Sequence, residues 1–272
     1  MLEKIKNELY RYGISLVGDI PLSLCKVNKP YKLEKAGFDS SLPLYAIIMA
    51  IPYYTEHREK NISAYCIPKD YHLFFKELFE SLLPSLKEIF PNNRFAGFTD
   101  DSPIDERDAA ALSGLGILGD NGMLITEKYS SYVFLGEIIT DLPISSDREY
   151  TLKSCEGCGR CKRVCPMSEV GECLSALTQR KGELTDLEKS YIRKYGSAWG
   201  CDICQEDCPH TEKAIKNGTI YTDIDFFKDG LIQIVTSDII DSMSDAEFGS
   251  RAYSWRKRAT IKRNLDILEE KN

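Results

Sequence analysis

Cys155-Glu156-Gly157-Cys158-Gly159-Arg160-Cys161-Lys162-Arg163-Val164-Cys165-Pro166 has the spacing C-x2-C-x2-C-x3-C-P. In such a run three thiolates wrap one face of a 4Fe–4S cubane, and the fourth cysteine reaches a second cluster. A second group follows, Cys201-Asp202-Ile203-Cys204-Gln205-Glu206-Asp207-Cys208-Pro209, with Cys173 between the two. Eight of the ten cysteines are thereby placed. The spacing assigns Cys155, Cys158, Cys161 and the distant Cys208 to one cluster, and Cys165, Cys173, Cys201 and Cys204 to the other. Thiolate sulfur is soft and suits iron and its sulfides. Paired C-x2-C units also serve tetrahedral zinc. The compact run ending in Cys-Pro, repeated as Cys-x3-Cys-Pro, favours iron–sulfur over that alternative. Cys25 and Cys66 stand outside the pattern and read as small buried hydrophobes.

Iron–sulfur centres move single electrons, so the remainder of the chain must supply a source, a sink or a shield for them. A bare two-cluster module needs only about 60 residues, and the chain has 272. Some 150 residues precede the first cysteine group, so the clusters serve a larger domain. Hydrophobic content of 43% and charged content of 28% are those of a globular protein. No apolar run approaches the roughly 20 residues that span a bilayer, and the N-terminus lacks the apolar core of a signal peptide. The expectation is a cytoplasmic protein without membrane contact, in a compartment where dense cysteines bind metal. The net charge of −7 argues against general nucleic-acid binding. One local exception is Arg251, Arg256, Lys257, Arg258, Lys262 and Arg263, which reads first as a solvated helix face.

Periodicity gives a coarse map. Helices are expected over 1–12, 70–90 and 105–113, the last flanked by Pro103 and the Gly114/Gly116 pair. Ile14 to Asp19 reads as a strand entering a loop. Leu42 to Pro52 is a continuous apolar run bounded by prolines, a strand central in a sheet. Residues 122–126 and 132–139 read as two antiparallel strands. The boundaries expected are a substrate and cofactor domain over 1–150, a ferredoxin-like module over 151–215 and a C-terminal helical segment over 216–272 packing on the core.

Several segments resemble the epoxyqueuosine reductase family. Ile62-Ser63-Ala64-Tyr65-Cys66-Ile67-Pro68-Lys69-Asp70-Tyr71-His72 is similar to its I-S-x-Y-x-x-x-x-D-Y-H. Phe98-Thr99-Asp100-Asp101-Ser102-Pro103-Ile104-Asp105-Glu106-Arg107 is similar to its F-x-D-(S/T)-(A/G)-P-x-x-E-R. Ser113-Gly114-Leu115-Gly116-Ile117-Leu118-Gly119-Asp120-Asn121 resembles its x-G-L-G-x-x-G-K-(N/H). The stretch from Ser131 to Asp141 resembles S-x-x-F-L-G-E-(I/L)-x-T-(D/N), Cys173 to Thr178 resembles C-I-S-Y-L-T, and Gly200 to Gln205 resembles G-C-D-x-C-Q. Asp101 stands where the family has Ser or Thr, and Asp120 where it has Lys.

The resemblance implies an α/β (α+β) layered cobalamin domain around a central sheet, followed by a ferredoxin-like module with two 4Fe–4S clusters. The implied reaction removes an epoxide oxygen to give queuosine in tRNA or as a smaller nucleoside, in a relative of the reductive dehalogenases. An electron-transfer protein feeding a corrinoid partner is the alternative, and a dehalogenase-like enzyme is another. By match to the motif Asp100 is the proton donor, with a pKa raised by burial or by Asp101, and Asp101 is the fallback. Gly114, Gly116, Gly119, Asn121, Tyr132, Tyr65, Tyr71 and His72 are the implied cofactor- or substrate-pocket residues. Gly114, Gly116 and Gly119 read equally as a turn, Tyr71 and His72 as the opening of a helix, and Tyr132 as core. A low-potential donor of ferredoxin or flavodoxin type and a monomeric state are expected. Full-length relatives continue into HEAT-like repeats, so the resemblance implies a short form.

Overall fold

Tyr45–Pro52 is the strand on which the first half of the chain is organised: of its eight residues all but Tyr45 are buried. A strand covered on both faces needs apolar side chains in both directions, hence the unbroken hydrophobic run. The computed structural model describes residues 1–39, 41–57, 59–144 and 149–270. They divide into two units, one comprising 1–52 and 72–158, the other 53–71 and 159–272. This grouping differs from the boundaries expected from sequence: the segment 53–71 goes with the cysteine-rich half, and residues up to Cys158 go with the first.

The elements of the first unit are α1 (Leu2–Tyr10), β1 (Val17–Pro21), α2 (Pro30–Lys35), β2 (Tyr45–Pro52), α3 (Tyr71–Ile89), β3 (Phe95–Phe98), α4 (Glu106–Leu112), β4 (Ile117–Leu118), β5 (Leu124–Ile125) and β6 (Val133–Thr140). Four strands form an antiparallel sheet in the order β1-β2-β6-β3. β2 is interior, as its composition requires. Register places Gly18, Ile48, Glu137 and Phe98 side by side on one face, and Val17, Met49 and Gly136 on the other. Two sequence expectations shift. The first strand begins at Val17, because Ile14 closes the turn after α1 by donating its N–H to Leu9 O (3.2 Å). The segments 122–126 and 132–139 do not pair with each other: β5 pairs with β4 in a separate hairpin, and β6 joins the sheet.

Glycines let both helical layers come close. A Cβ on Gly136 would lie 2.1 Å from Phe75 Cε1, and one on Gly97 2.5 Å from Phe79 Cδ1. Both aromatics belong to α3, which covers that face with rings laid over bare backbone. On the opposite face α4 presents Ala109, Ala110 and Ala111, all buried. A Cβ on Gly18 would meet the Ser113 carbonyl at 2.6 Å. α4 is capped by the Asp105 side chain accepting from Asp108 N–H. It ends in a Schellman turn at Gly114, φ 76°, where Leu115 N–H reaches Ala110 O and Gly114 N–H reaches Ala111 O.

The elements of the second unit are α5 (Arg160–Val164), α6 (Leu174–Gln179), α7 (Asp186–Tyr195), α8 (Ile203–Glu206), α9 (Pro209–Lys216), α10 (Ser237–Ser242), α11 (Asp245–Gly249) and α12 (Arg258–Glu269). Met167, Leu174, Leu177, Leu184, Ile192 and Ile267 make one apolar cluster among them. Asn264, fully buried, donates to Thr178 O (2.7 Å) and Ala198 O (2.8 Å), tying α12 to α6 and to the approach to Cys201. Within this unit Ile62 bridges Trp199 in parallel, Ser63 N–H donates to Trp199 O at 2.7 Å, and Ala64–Cys66 then turns as a short 3-10 helix.

Gly136→Ala should force the Phe75 ring off its seat. Overpacking of this kind costs about 1–3 kcal/mol, read as a lower urea midpoint with the slope of the transition unchanged.

Candidate functional site

The cysteine groups sit on short helices and the turns that start them. Cys173 is the N-cap of α6, Cys208 the N-cap of α9 and Cys165 the C-cap of α5. Gly157, φ 67°, and Gly200, φ 75°, immediately precede Cys158 and Cys201. Such backbone is cheap only for glycine, and it turns the following thiol back toward the chain. In the second unit Cys173 and Cys204 lie close enough to Cys201 for their charges to act on it. Cys165 and Cys201 flank the same apolar cluster. Burial above all, with the neighbouring Asp202 and thiols adding to it, pushes the Cys201 thiol up to about 12. A thiolate there needs a positive centre beside it, which iron supplies. Among the described residues no three His, Cys, Asp or Glu side chains converge tightly enough for a single metal ion; a cubane spreads its four thiolates more widely than one ion does. Cys173, Cys201 and Cys204 thus lie together as the soft donors that iron takes.

Cys155 is fixed within the first unit. Its N–H donates to Leu118 O (2.8 Å), Leu118 N–H donates to Lys153 O (2.8 Å), and Asp120 N–H points at Cys155 Sγ at 3.4 Å. Cys158 belongs to the same unit, whereas Cys161 and Cys208 belong to the second.

Asp202, between Cys201 and Cys204, is a buried polar hub that the spacing of the cysteines does not announce. Its side chain is 1% exposed. It accepts from Ala64 N–H (2.6 Å), from the Ser63 hydroxyl and from Lys60 Nζ, while Lys60 also reaches Glu206 at 2.8 Å. Lys60, Ser63 and Asp202 line a cavity of about 160 Å³ beside Cys201. Tyr65 is held in the same unit by Trp199 Nε1–H at 3.0 Å.

The segment bearing Asp100 lies in the first unit, between β3 and α4. Asp100 has φ 60°, in the left-handed region, and its side chain is 66% exposed. His72 Nε2, at the start of α3, stands 3.6 Å from its Oδ2. The expected elevation of the Asp100 pKa is corrected: His72 beside it lowers it, and desolvation only partly offsets that. Asp101 is not a fallback acid, because hydrogen bonds from Lys29 and Lys32 hold it down at about 2. The raised carboxyls are elsewhere, on Glu106 and Glu137 beneath the turn. Both stand at motif positions, as the glutamates of P-x-x-E-R and F-L-G-E, but nothing in the sequence shows that the two meet.

The small-residue positions are engaged by the chain itself. A Cβ on Gly116 would sit 2.3 Å from Ile125 O, and one on Gly119 2.4 Å from Asn121 Oδ1. Their missing side chains accommodate the β4–β5 hairpin, and Asn121 caps its turn by accepting from Met123 N–H at 3.2 Å. Tyr132 is fully buried ahead of β6. Tyr71 opens α3. The C-terminal basic residues are likewise spent on structure. Arg251 is buried and donates to Gly230 O (2.7 Å), Arg258 to Met243 O (2.8 Å), Arg263 to Arg180 O (2.7 Å), and Lys262 pairs with Asp241.

No family model matches the chain. An epoxyqueuosine reductase of Gloeobacter violaceus is 30% identical over 232 residues, covering 80% of this chain and 70% of that protein. The chain belongs to the epoxyqueuosine reductase family. The epoxyqueuosine reductase of Lactococcus garvieae is 29% identical over 225 residues, 79% of this chain, and the chain spans 62% of that relative's length. An epoxyqueuosine reductase solved with an epoxyqueuosine-modified tRNA-Tyr stem loop shares the fold, with a TM-score of 0.77 at 23% identity over 98% of this chain and 80% of that one. Among the described residues of this family member, no helix is long and apolar enough to cross a membrane.

Asp202→Ala should strand the Ser63 hydroxyl and the Ala64 N–H without their acceptor and leave Lys60 with Glu206 alone. Breaking a buried ionic hub costs about 3–5 kcal/mol, so the variant should unfold at distinctly lower denaturant.

Proposed function

We propose that this chain is an iron–sulfur and cobalamin-dependent oxidoreductase that reduces the epoxide of epoxyqueuosine to the alkene of queuosine, with the modified nucleoside carried in tRNA. The observation that carries the reading is the exposed Asp100–His72 pair, on two segments that match the family's motifs and within reach of solvent-borne substrate. Removing an epoxide oxygen as water takes two electrons and two protons. The electrons enter one at a time from a low-potential donor of ferredoxin or flavodoxin type. Cys165, Cys173, Cys201 and Cys204 hold one 4Fe–4S cluster, and Cys155, Cys158, Cys161 and Cys208 hold the other by their spacing in sequence.

When bound, cobalamin supplies the nucleophilic, strongly reducing centre that a carbon–oxygen bond requires. The chain's own residues supply protons and position. Opening an epoxide leaves an alkoxide, which must be protonated as it forms. Asp100 does not hold that proton alone in the arrangement seen. His72 Nε2 stands 3.6 Å from Asp100 Oδ2 as its partner in proton exchange, and substrate laid over the turn would strip water from Asp100 and raise it toward the range of a general acid. A reducing cytoplasm suits eight thiols held for iron rather than for disulfides.

Asp100→Asn should lower turnover of epoxyqueuosine-modified tRNA by about 10²–10⁴-fold, the range for loss of a general acid, with iron content unchanged. Iron loss in that variant would make Asp100 structural. Cys204→Ser should instead remove about half of the roughly eight irons, measured by iron assay and EPR after anaerobic reconstitution.

A further inference from the structure

Glu137 occupies a place where a carboxyl group has no business by itself. It lies at the middle of β6, fully buried, on the face of the sheet that α4 covers. Its cross-strand neighbours are Ile48 on β2 and Phe98 on β3, both apolar. The Ser102 hydroxyl donates to Oε1. The Glu106 side chain, from the first position of α4, meets it from above. Oε2 has no donor if both carboxyls are ionised. A single proton between the two groups supplies that donor and removes one of two like charges from a buried site.

The same pair holds the Asp100 turn. Glu106 Oε1 accepts the backbone N–H of Asp100 at 3.0 Å. Ser102 Oγ, besides donating to Glu137, accepts the Ile104 N–H at 3.0 Å. Asp100 therefore keeps its left-handed backbone while its flanks are tied to two carboxyls that share a proton. We propose that Glu106 and Glu137 are positioning residues, a proton-sharing latch that fixes the Asp100 turn in its working geometry.

Loss of the shared proton would release the latch in a definite way. Glu137 is locked in the strand, whereas Glu106, at the start of a helix, can swing toward solvent and leave the Asp100 amide without its acceptor. The other titratable or charged groups facing the pair are Asp100 and Asp105 near the start of α4, Cys25 after β1 and Lys32 from α2. Among these Lys32 is the cation, and it is already bonded to Asp101. Burial, reinforced at Glu137 by the second carboxyl, raises both groups, Glu106 to about 7. The sign follows: a carboxyl raised on folding stabilises the fold fully below its unfolded value of about 4.3, and loses that contribution as pH rises through the folded value. The turn should thus loosen from neutral pH upward.

The proposal rests on Asp100 as the acid for its catalytic consequence, but the latch is measurable without turnover. Hydrogen exchange of peptides spanning 98–103, corrected for intrinsic rates, is followed from pH 6 to 9 in the wild type, Glu137→Gln and Glu106→Gln. Protection in the wild type should fall about tenfold across that range, the worth of one hydrogen bond to a charged group. Glu137→Gln, which supplies a permanent donor, should hold it level. In the reconstituted enzyme the alkaline limb of kcat should be present in the wild type and absent in Glu137→Gln. Wild-type protection independent of pH, or an unchanged limb in Glu137→Gln, overturns the latch. If Glu137→Gln does not fold, Glu106→Gln alone decides in the same way. Full activity of Asp100→Asn would instead defeat the reading of Asp100 and leave the exchange result standing.

Discussion

A carboxyl group taken out of water must be given donors or keep its proton, and each unit of this chain contains one such group at its centre. Asp202 is met by donors: a lysine, a hydroxyl and a backbone N–H close around it. Glu137 receives one hydroxyl and a second carboxyl, an arrangement that is neutralised by a proton rather than by a cation. The first solution ties the Cys201–Cys204 turn to the segment 60–64. The second ties the Asp100 turn to the sheet. Both sites where chemistry is proposed are thus held by a buried acid placed one step behind the reacting groups.

Much of this organisation was legible from residue patterns because the patterns are physical. β2 had to be central, since only a strand with two covered faces is apolar throughout. α3 follows from Leu73, Phe74, Leu78 and Leu82 at helical spacing, the last three of which are buried. The cysteines announced themselves by a spacing that only a multi-thiolate centre uses. What stayed hidden was long-range or electrostatic. Nothing local tells β5 to take β4 rather than β6 as its partner; each is a short apolar run, and the choice is made by the hairpin turn at Gly119–Gly122. Glu106 and Glu137 lie 31 positions apart in motifs where they look like ordinary surface charges.

The acid turn shows how far a motif alone can mislead about mechanism. Matching segments place Asp100 where a proton donor is expected, and the natural inference is a buried, elevated carboxyl. The structure instead exposes it beside His72 and lowers it. Asp101, the departure from the family pattern, is drawn aside by Lys29 and Lys32. Charge that would have repelled Asp100 is spent on clamping the turn from the α2 side, so the substitution reads as a change in how the turn is anchored. The basic C-terminal residues teach the same lesson in reverse. Arg251, Arg258 and Arg263 end on carbonyl oxygens of their own chain, where arginine serves as a multi-donor cross-brace.

The discontinuous make-up of the second unit sets an order on its assembly. Residues 53–71 leave the ribosome early, yet their partners come late: Asn61 bonds Val235, 174 positions downstream. A chain synthesised from its N-terminus must therefore hold this stretch, with the buried Cys66 and Ile67, uncommitted through most of translation. The first unit's sheet can close as soon as β6 emerges. The cysteine-rich unit cannot close until its downstream partners, Val235 among them, have emerged, so the segment before α3 is settled late.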